Sequence, residues 1–385
     1  MLEIFTSSLL YDKKLWFALI PIAITYLWRL MRSKSELYYA KTENNLRIIQ
    51  KCPSIARRRY YPPIYLINPL IHTWMSTIVS TTDENISYVL EEVKLAGGGH
   101  TTLAWAEPKM EVRDEKKNKT IVVILPGLTA SYKDHYIKAL TKSLLLEGYK
   151  PVIYHPRFNG ENLVFPEQNN LDILKDFSGT IEYILQHKKG FKFFAIGHSY
   201  GANLLVKFLG KKSKENPFYG AVSLANPCNF MLSEAKMRGG IIDKSMNQML
   251  IKAAQKAKKD TVNSKRFNIN WEKIETGKHV NNFDWEFTIK VYGYDTPEDY
   301  YWDVSSSRWL KSVQVPLLLL QAEDDPVVEV KGIPLDIIQG ANSKVIVYIT
   351  KCGGHLGWLE GFIRLKRWYL KPTIEFINAV TQDSN

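Results

Sequence analysis

Cysteine is scarce in this chain, which has only Cys52, Cys228 and Cys352 among its 385 residues. An odd and sparse set of this kind does not build the disulfide framework of a small secreted domain. No group of cysteines and histidines has the spacing of zinc ligands, and we predict neither a metal site nor a cofactor. Cys352 lies three residues before His355. We interpret it as a small packing residue rather than a reactive thiol.

Acidic residues are also few, with 39 Asp and Glu against 51 Lys and Arg, which gives a net charge of +12. Such an excess favours an anionic partner, either nucleic acid or a membrane surface. The basic residues are spread along the chain, and no motif interleaves aromatic and basic side chains as RNA-binding modules do. We therefore expect a membrane surface and no nucleic acid. The sequence indicates no obligate protein partner.

A long apolar stretch is present near the N-terminus, at residues 15–28, and basic residues flank both of its ends. With these flanks it approaches the roughly 20 residues that cross a bilayer, and no small-residue cleavage site follows it. We predict a single-pass N-terminal anchor in an endomembrane. The alternatives are a monotopic helix and a cleaved signal. Arg29, Arg32 and Lys34 slightly favour a cytosolic location for the rest of the chain.

Strands and helices alternate through the middle of the chain. The apolar runs at 121–125 and 193–196 are typical of strands buried on both faces of a parallel sheet, and helical patterns cover 136–147 and 171–187. This alternation predicts an α/β protein with a mostly parallel, doubly wound sheet. The other predicted strands are 86–95, 101–105, 151–154, 219–225, 315–320 and 344–348.

The pentapeptide Gly197–Gly201, with the sequence GHSYG, lies between a predicted strand and a predicted helix. A G-x-S-x-G motif in this context is the nucleophile elbow of an α/β-hydrolase. The turn is so tight that the serine takes strained backbone angles, and the glycines keep side chains out of the way. We predict that Ser199 is a nucleophile, against the alternative of a serine in an ordinary glycine-flanked loop.

A serine hydroxyl reacts only when a neighbouring base takes its proton. In the α/β-hydrolase fold an acid and then a histidine follow the serine along the chain. His355 comes after the last predicted strand, behind a Gly-Gly pair, and we predict it as the base. Three acids follow the strand at 315–320. We prefer Asp325, directly before a proline, to Asp324, and expect it to hold the His355 tautomer.

Two backbone amides are candidates for the oxyanion hole, which must stabilise the negative charge of an acyl-transfer intermediate. One is the amide of Tyr200, the residue after the nucleophile. The other is the amide of Leu128, in the loop after the strand at 121–125, where Gly127 permits a close approach. The alternative is that this loop is a plain turn between a strand and a helix.

The pattern changes at about residue 231, where Lys-rich helical segments are followed by an aromatic-rich stretch. We predict a helical cap insertion whose aromatic residues, around Trp285, Tyr292, Tyr300, Tyr301 and Trp302, either line an acyl pocket or form the core of the cap. The predicted segments are 1–33, an anchor; 34–117, helical to about residue 49 and then carrying the first strands; 118–230, the first part of the core; 231–313, the cap; and 314–385, the second part of the core, with a final helix from about 361 to 379.

Together these residues resemble the AB hydrolase 4 type subfamily of α/β-hydrolases, which are membrane-anchored lipid esterases and include medium-chain phospholipases and ethanol-ester-forming acyltransferases. The resemblance runs from about Tyr61 to Trp368. It implies a triad of Ser199, Asp325 and His355. The motifs that carry it are Leu125–Thr129, Gly197–Asn203, Asp324–Pro326 and Gly353–Trp358, with Asn68, His72–Trp74 and Ser305–Ser307 beside them.

The predicted function is that of a serine carboxylesterase or lipase that hydrolyses acyl esters of lipids. An alternative is an acyltransferase that uses the same triad and passes the acyl group to an alcohol. His279 and Asp284 also form the H-x4-D pattern of unrelated acyltransferases, and we interpret that match as chance. A third possibility is a non-catalytic scaffold, which the presence of every triad element in order disfavours.

Overall fold

A nine-stranded sheet forms the centre of the protein. The computed structural model describes residues 19–26, 34–82, 86–96, 98–107, 115–157, 171–340 and 343–382. The strands of the sheet are β1 (Glu36–Tyr39), β2 (Tyr88–Lys94), β3 (His100–Ala106), β4 (Thr120–Leu125), β5 (Lys150–His155), β6 (Lys192–His198), β7 (Phe218–Leu224), β8 (Leu317–Ala322) and β9 (Val345–Thr350). Their spatial order is β1-β9-β8-β7-β6-β4-β5-β3-β2.

Helices cover both faces of this sheet and fill the segment between β7 and β8. After residue 34 they are α1 (Glu43–Gln50), α2 (Pro53–Ala56), α3 (Pro69–Ile78), α4 (Glu115–Asn118), α5 (His135–Leu146), α6 (Ile173–His187), α7 (Tyr200–Lys212), α8 (Phe230–Met237), α9 (Ile241–Ala254), α10 (Thr261–Arg266), α11 (Trp271–Thr276), α12 (Val280–Phe283), α13 (Ile289–Tyr292), α14 (Pro297–Val304), α15 (Leu335–Gln339) and α16 (Leu370–Gln382). A π-helical turn, Asp284–Thr288, joins α12 to α13.

The six strands β5-β4-β6-β7-β8-β9 pair in parallel, and antiparallel strands extend the sheet at both edges. Every residue of β4 is buried. Successive side chains of a strand point to opposite faces, so Val123 belongs to one core and Val122 to the other. Phe208 of α7 packs in the first core and Phe376 of α16 in the second. The predicted α/β-hydrolase architecture with a mostly parallel, doubly wound sheet is confirmed.

The parallel strands also determine where the candidate site lies. Strands that run in the same direction bring their carboxyl ends to one edge of the sheet, where α/β proteins bind their ligands. Leu128 follows β4, Ser199 follows β6, Asp325 follows β8 and His355 follows β9. Four loops that are far apart in sequence therefore meet at the same edge.

Two predictions of secondary structure are wrong. Residues 36–39, expected to be helical, form β1, which pairs antiparallel with β9 so that Leu37 lies opposite Tyr348. That partner is far away in sequence, and a four-residue strand carries too little local pattern to show it. The final helix begins at Leu370, because the preceding residues form a two-stranded hairpin of β10 (Leu359–Glu360) and β11 (Lys366–Arg367). Gly361 turns this hairpin at a φ of 93°.

The predicted membrane anchor is not shown. Within the described ranges, no helix has both the length and the apolar character needed to cross a membrane. Residues 19–26 of the predicted stretch are helical. Its other residues, 15–18 and 27–28, lie outside the described part of the chain.

Candidate active site

Ser199 lies in the sharp turn between β6 and α7. Its φ is +50° and its ψ is −117°, a backbone conformation that is strained for a residue with a side chain. The two flanking glycines allow the turn, because a Cβ at Gly197 would collide with Ala202 and a Cβ at Gly201 with the carbonyl oxygen of Pro126. The turn presents the Ser199 side chain at the carboxyl edge of the sheet.

Three predicted residues meet at this edge in a hydrogen-bonded series. The Nε2 atom of His355 is 2.9 Å from Ser199 Oγ, and its Nδ1 atom is 2.8 Å from Asp325 Oδ2. Asp325 is fully buried, and its Oδ1 accepts the backbone N–H groups of Val327 and Val328 at 2.7 and 3.0 Å. The Asp325 carboxylate fixes the imidazole proton on Nδ1, which leaves Nε2 able to accept the serine proton.

The neighbouring acids have other partners. Asp324 Oδ1 accepts the backbone N–H of Gly354 at 3.0 Å. Glu323 pairs with Lys351 at 2.7 Å on the protein surface. Of the three acids after β8, Asp325 is therefore the one that contacts the His355 ring, while Asp324 supports the backbone of the loop that carries this ring.

Helix α3 contacts the backbone of the loop that carries His355. Thr73 Oγ1 accepts the His355 N–H at 2.9 Å, and Ser76 Oγ donates to the His355 carbonyl at 3.3 Å. Sequence reasoning missed this helix. Its signal was Asn68 followed by Pro69, because the Asn68 side chain caps the helix by accepting the N–H of Leu70 at 2.9 Å, and proline is favoured at the first helical position.

Buried His72 fixes the end of this loop. Its Nε2 accepts the N–H of Leu359 at 2.9 Å, and burial lowers its pKa from 6.5 to about 4. Between pH 6.5 and pH 4, His72 binds a proton in the unfolded chain but not in the folded chain. Its contribution to the free energy of unfolding therefore has its full value above pH 6.5 and falls as the pH decreases toward 4. At about 1.4 kcal/mol per pH unit, His72 accounts for about 3 kcal/mol of this loss.

We expect His72→Gln to unfold with a shallower pH dependence than the unsubstituted chain between pH 6.5 and 4, because the proton-binding difference at this position is removed. Urea unfolding at pH 7 and at pH 4.5 measures it. Other buried groups, including His198 with a pKa lowered by burial to about 3, contribute equally to both proteins and cancel. Identical slopes for the two proteins would contradict the assignment.

The two predicted oxyanion donors lie beside Ser199. Leu128 and Tyr200 line the same cleft as Ser199. Tyr200 is the first residue of α7, so its N–H has no helical carbonyl four residues before it. A Cβ at Gly127 would lie 3.5 Å from the Ser199 Cβ. The backbone of this loop therefore runs directly past Ser199.

An apolar cleft of about 1090 Å³, including its open mouth, lies above Ser199. The helical segment between β7 and β8 supplies most of its wall. Tyr292, Tyr300 and Tyr301 line the cleft, whereas Trp285 and Trp302 are exposed and do not. The aromatic residues of the insertion thus divide between the pocket wall and the outer surface. The apolar side chains of the wall include Phe230, Met237, Met246, Leu250, Val280 and Phe283.

One wall residue that the sequence did not single out as part of the cleft is Asp284. Its carboxyl group accepts hydrogen bonds from Thr288 Oγ1 at 2.6 Å and from the Tyr301 hydroxyl, and burial raises its pKa to about 6. His279, the other residue of the H-x4-D pattern, contacts Asp243 at 2.7 Å. No group of three or more metal-ligating side chains occurs in the described part of the chain.

Comparisons with known proteins agree with this architecture. A family model for the alpha/beta hydrolase fold matches residues 120–362. Phospholipase ABHD3 of Mus musculus is 27% identical over 334 residues, which cover 86% of this chain and 80% of that protein. Monoacylglycerol lipase of Saccharomyces cerevisiae is 24% identical over 279 residues, with coverages of 70% and 61%. The structure of Pyrococcus horikoshii acylaminoacyl peptidase has a TM-score of 0.52 at 16% identity and covers 77% of this chain and 42% of that one.

Proposed function

The chain belongs to the α/β-hydrolase fold family, and we propose that it is a serine carboxylesterase or lipase that hydrolyses acyl esters of lipids. The observation that carries this proposal is the hydrogen-bonded series Ser199–His355–Asp325 at the base of an apolar cleft. A nucleophile, a base and an orienting acid at these distances are the parts that acyl transfer through a covalent intermediate requires.

In the proposed reaction, Ser199 Oγ attacks the ester carbonyl carbon while His355 Nε2 takes the hydroxyl proton. The tetrahedral intermediate collapses, the C–O bond to the alcohol breaks, and His355 returns the proton to the leaving alcohol. Water then attacks the acyl-enzyme while His355 takes one of its protons. The bond between the acyl carbon and Ser199 Oγ breaks, His355 returns the proton to Ser199 Oγ, and the carboxylic acid leaves. Asp325 stabilises the imidazolium that forms in both steps.

The proposed oxyanion hole consists of the backbone N–H groups of Leu128 and Tyr200. Each tetrahedral intermediate places a negative charge on the former carbonyl oxygen, and donors fixed in advance stabilise that charge without reorganising. Two observations support this assignment. The Gly127 backbone approaches Ser199 closely, and the Tyr200 N–H lies at the first position of α7, where no helical carbonyl accepts it.

The apolar wall of the cleft favours the acyl chain of a lipid ester as its occupant, because apolar surface gains free energy when it leaves water. The names of the two relatives, a phospholipase and a monoacylglycerol lipase, agree with this substrate class. Attachment to an endomembrane through residues 15–28 stays a prediction.

A panel of phospholipids, acylglycerols and short soluble esters, incubated with the purified protein, tests the proposal through release of the free acid. Ethanol or glycerol added to the same reactions determines whether the acyl group passes to water or to an alcohol, since both outcomes use the same acyl-enzyme. Release of no acid and no new ester from any member of the panel would reject the proposal.

We expect Ala253→Phe to shorten the acyl chain that the cleft accepts. Ala253 is half-buried on α9 and lines the cleft, so a larger side chain there occupies the space of several methylene groups. The kcat/KM for p-nitrophenyl octanoate should fall at least about tenfold, with little change for p-nitrophenyl acetate. The control is Val262→Phe at an exposed position of α10. Equal losses for both esters would contradict this use of the cleft.

A further inference from the structure

Helix α3 has two faces of different character. The inner face contacts the His355 loop through His72, Thr73 and Ser76. The outer face is apolar and exposed, and Trp74 at its centre is 61% exposed. Large exposed apolar surfaces are rare on soluble monomers and mark interaction sites. The exposed residues of this face are Leu70, Ile71, Trp74 and Ile78.

The hairpin β10–β11 extends this apolar surface. Phe362 and Ile363 at its tip are 70% and 89% exposed. Tyr65, just before α3, connects the two parts, because its hydroxyl donates to the Phe362 carbonyl at 2.5 Å and the two rings lie 6.0 Å apart between centroids. We call the set of Tyr65, Leu70, Ile71, Trp74, Ile78, Phe362 and Ile363 the apolar platform.

A short apolar helix at residues 19–26 contacts the segment before the platform. Its Tyr26 hydroxyl donates to the Pro62 carbonyl at 3.3 Å, which places it beside the segment that leads into α3. Leu19, Ile20, Ile22 and Ile24 are each about half exposed. This contact brings the end of an apolar helix close to the segment that precedes the platform.

The tip of the hairpin is basic, and the acid at its base, Glu360, pairs with Lys371 at 2.5 Å. Residues 61–79 contain no Asp, Glu, Lys or Arg. Residues 361–367 contain three basic residues and no acid, and Arg364 and Lys366 are exposed beside the hairpin tip. An apolar surface bordered by cations matches the interface of an anionic bilayer, where apolar side chains enter the acyl boundary and cations contact the headgroups.

We propose that the apolar platform docks the protein on an anionic lipid bilayer. Because the inner face of α3 holds the His355 loop, docking through the outer face places the triad next to the membrane surface. One part of this proposal rests on the proposed function, namely that a lipid ester enters the cleft from the bilayer. The docking itself is independent of catalysis.

A fluorescent probe at the hairpin tip tests the docking in the full chain. The Ile363→Cys variant, labelled with the environment-sensitive fluorophore NBD, should show blue-shifted and stronger emission with vesicles that contain phosphatidylglycerol. Phosphatidylcholine vesicles should give a smaller shift. Val262→Cys, a site with a comparable exposure of 76%, is the matched control and should not respond. The unsubstituted chain gives the background from labelled Cys352.

Three outcomes would overturn the proposal. One is that the emission of the probe at position 363 stays unchanged although the protein sediments with anionic vesicles. Another is an equal response at Val262. A third is a shift that depends on protein concentration and not on lipid, which would identify a second copy of the chain as the occupant of the platform.

The charged border is tested separately from the apolar tip. We expect Arg364→Glu combined with Lys366→Glu to weaken binding to phosphatidylglycerol vesicles and to leave the weak binding to phosphatidylcholine vesicles unchanged. The control pair Lys189→Glu and Lys214→Glu makes the same change of net charge at exposed positions elsewhere. Equal weakening by both pairs would attribute the binding to net charge and would overturn the platform as its site.

A kinetic comparison separates docking from catalysis. Phe362→Ser combined with Ile363→Ser should lower hydrolysis of an ester embedded in vesicles by at least about tenfold, since two large apolar side chains no longer enter the lipid. Hydrolysis of a soluble short ester should not change. Leu146→Ser with Val262→Ser is the matched control. Equal loss on both substrates would overturn the proposal, while retention of the probe response by Ser199→Ala would support docking even if the proposed function failed.

Discussion

The Ser199→Ala variant is expected to lose at least about 10⁴-fold of the ester hydrolysis rate of the unsubstituted protein. The substitution removes the one oxygen that His355 Nε2 contacts at 2.9 Å. Without it no acyl-enzyme forms, and only the weaker effects of binding and oxyanion stabilisation remain. The fold should persist, because the Ser199 side chain makes no cap hydrogen bond to α7.

Labelling with a fluorophosphonate probe gives a second measurement of the same prediction. Such a probe phosphonylates an activated serine, so labelling should disappear in Ser199→Ala. The matched control is Ser233→Ala, which removes a hydroxyl from the wall of the same cleft. That hydroxyl accepts the N–H of Glu329 at 3.3 Å and has no role in the proposed chemistry. Persistent labelling of Ser199→Ala, or its loss in Ser233→Ala, would reject Ser199 as the nucleophile.

Much of the candidate site could be predicted from the sequence because its chemistry depends on local signals. The elbow is visible in five residues of sequence, in which Gly197 avoids a collision with Ala202 of the same turn and Gly201 avoids one with Pro126 in the loop after β4. The order of the strands then determines which loops can reach Ser199. His355 and Asp325 are identified by the strands they follow, since parallel strands bring their carboxyl ends to one edge.

The parts that failed depend on distant contacts. Strand β1 is defined by its pairing with β9, such as Leu37 with Tyr348, and four residues have no periodicity that could indicate this. The hairpin before α16 has the apolar content of a helix, but Gly361 turns the chain at a φ of 93° and Leu359 pairs with Arg367. The pairing of β1 with β9 is contained neither in local propensity nor in the hydrophobic pattern.

The aromatic residues between β7 and β8 are a further case in which the sequence does not determine which side chains line the cleft. Tyr300 and Trp302 lie two positions apart on α14, yet Tyr300 lines the cleft and Trp302 faces solvent. Both are large aromatic residues in the same short helix, so composition could not assign them. The difference arises from which face of α14 packs against the cleft, and that depends on how the helices between β7 and β8 rest on the sheet.

The second large effect is expected for Asp325→Asn, which should lower kcat by about 10³- to 10⁴-fold and change KM little. The amide oxygen of the asparagine can still accept the N–H groups of Val327 and Val328, as Asp325 Oδ1 does. Its NH2 group then faces His355 Nδ1. That contact requires an unprotonated Nδ1 and moves the imidazole proton to Nε2, the atom that must accept the proton of Ser199.

Asp324→Asn is the matched control, because it makes the same change at the adjacent residue. Asp324 accepts the Gly354 N–H. An amide oxygen at the same position can accept this hydrogen bond with the same geometry. We expect its kcat to stay within about tenfold of the unsubstituted value, which corresponds to about 1.4 kcal/mol in activation free energy. Equal losses in the two variants, or a larger loss at Asp324, would mean that the His355 ring takes its orientation from the loop backbone rather than from Asp325. The difference expected between these two neighbouring carboxylates, at least about a hundredfold in kcat, therefore measures the value of the single contact between Asp325 Oδ2 and His355 Nδ1.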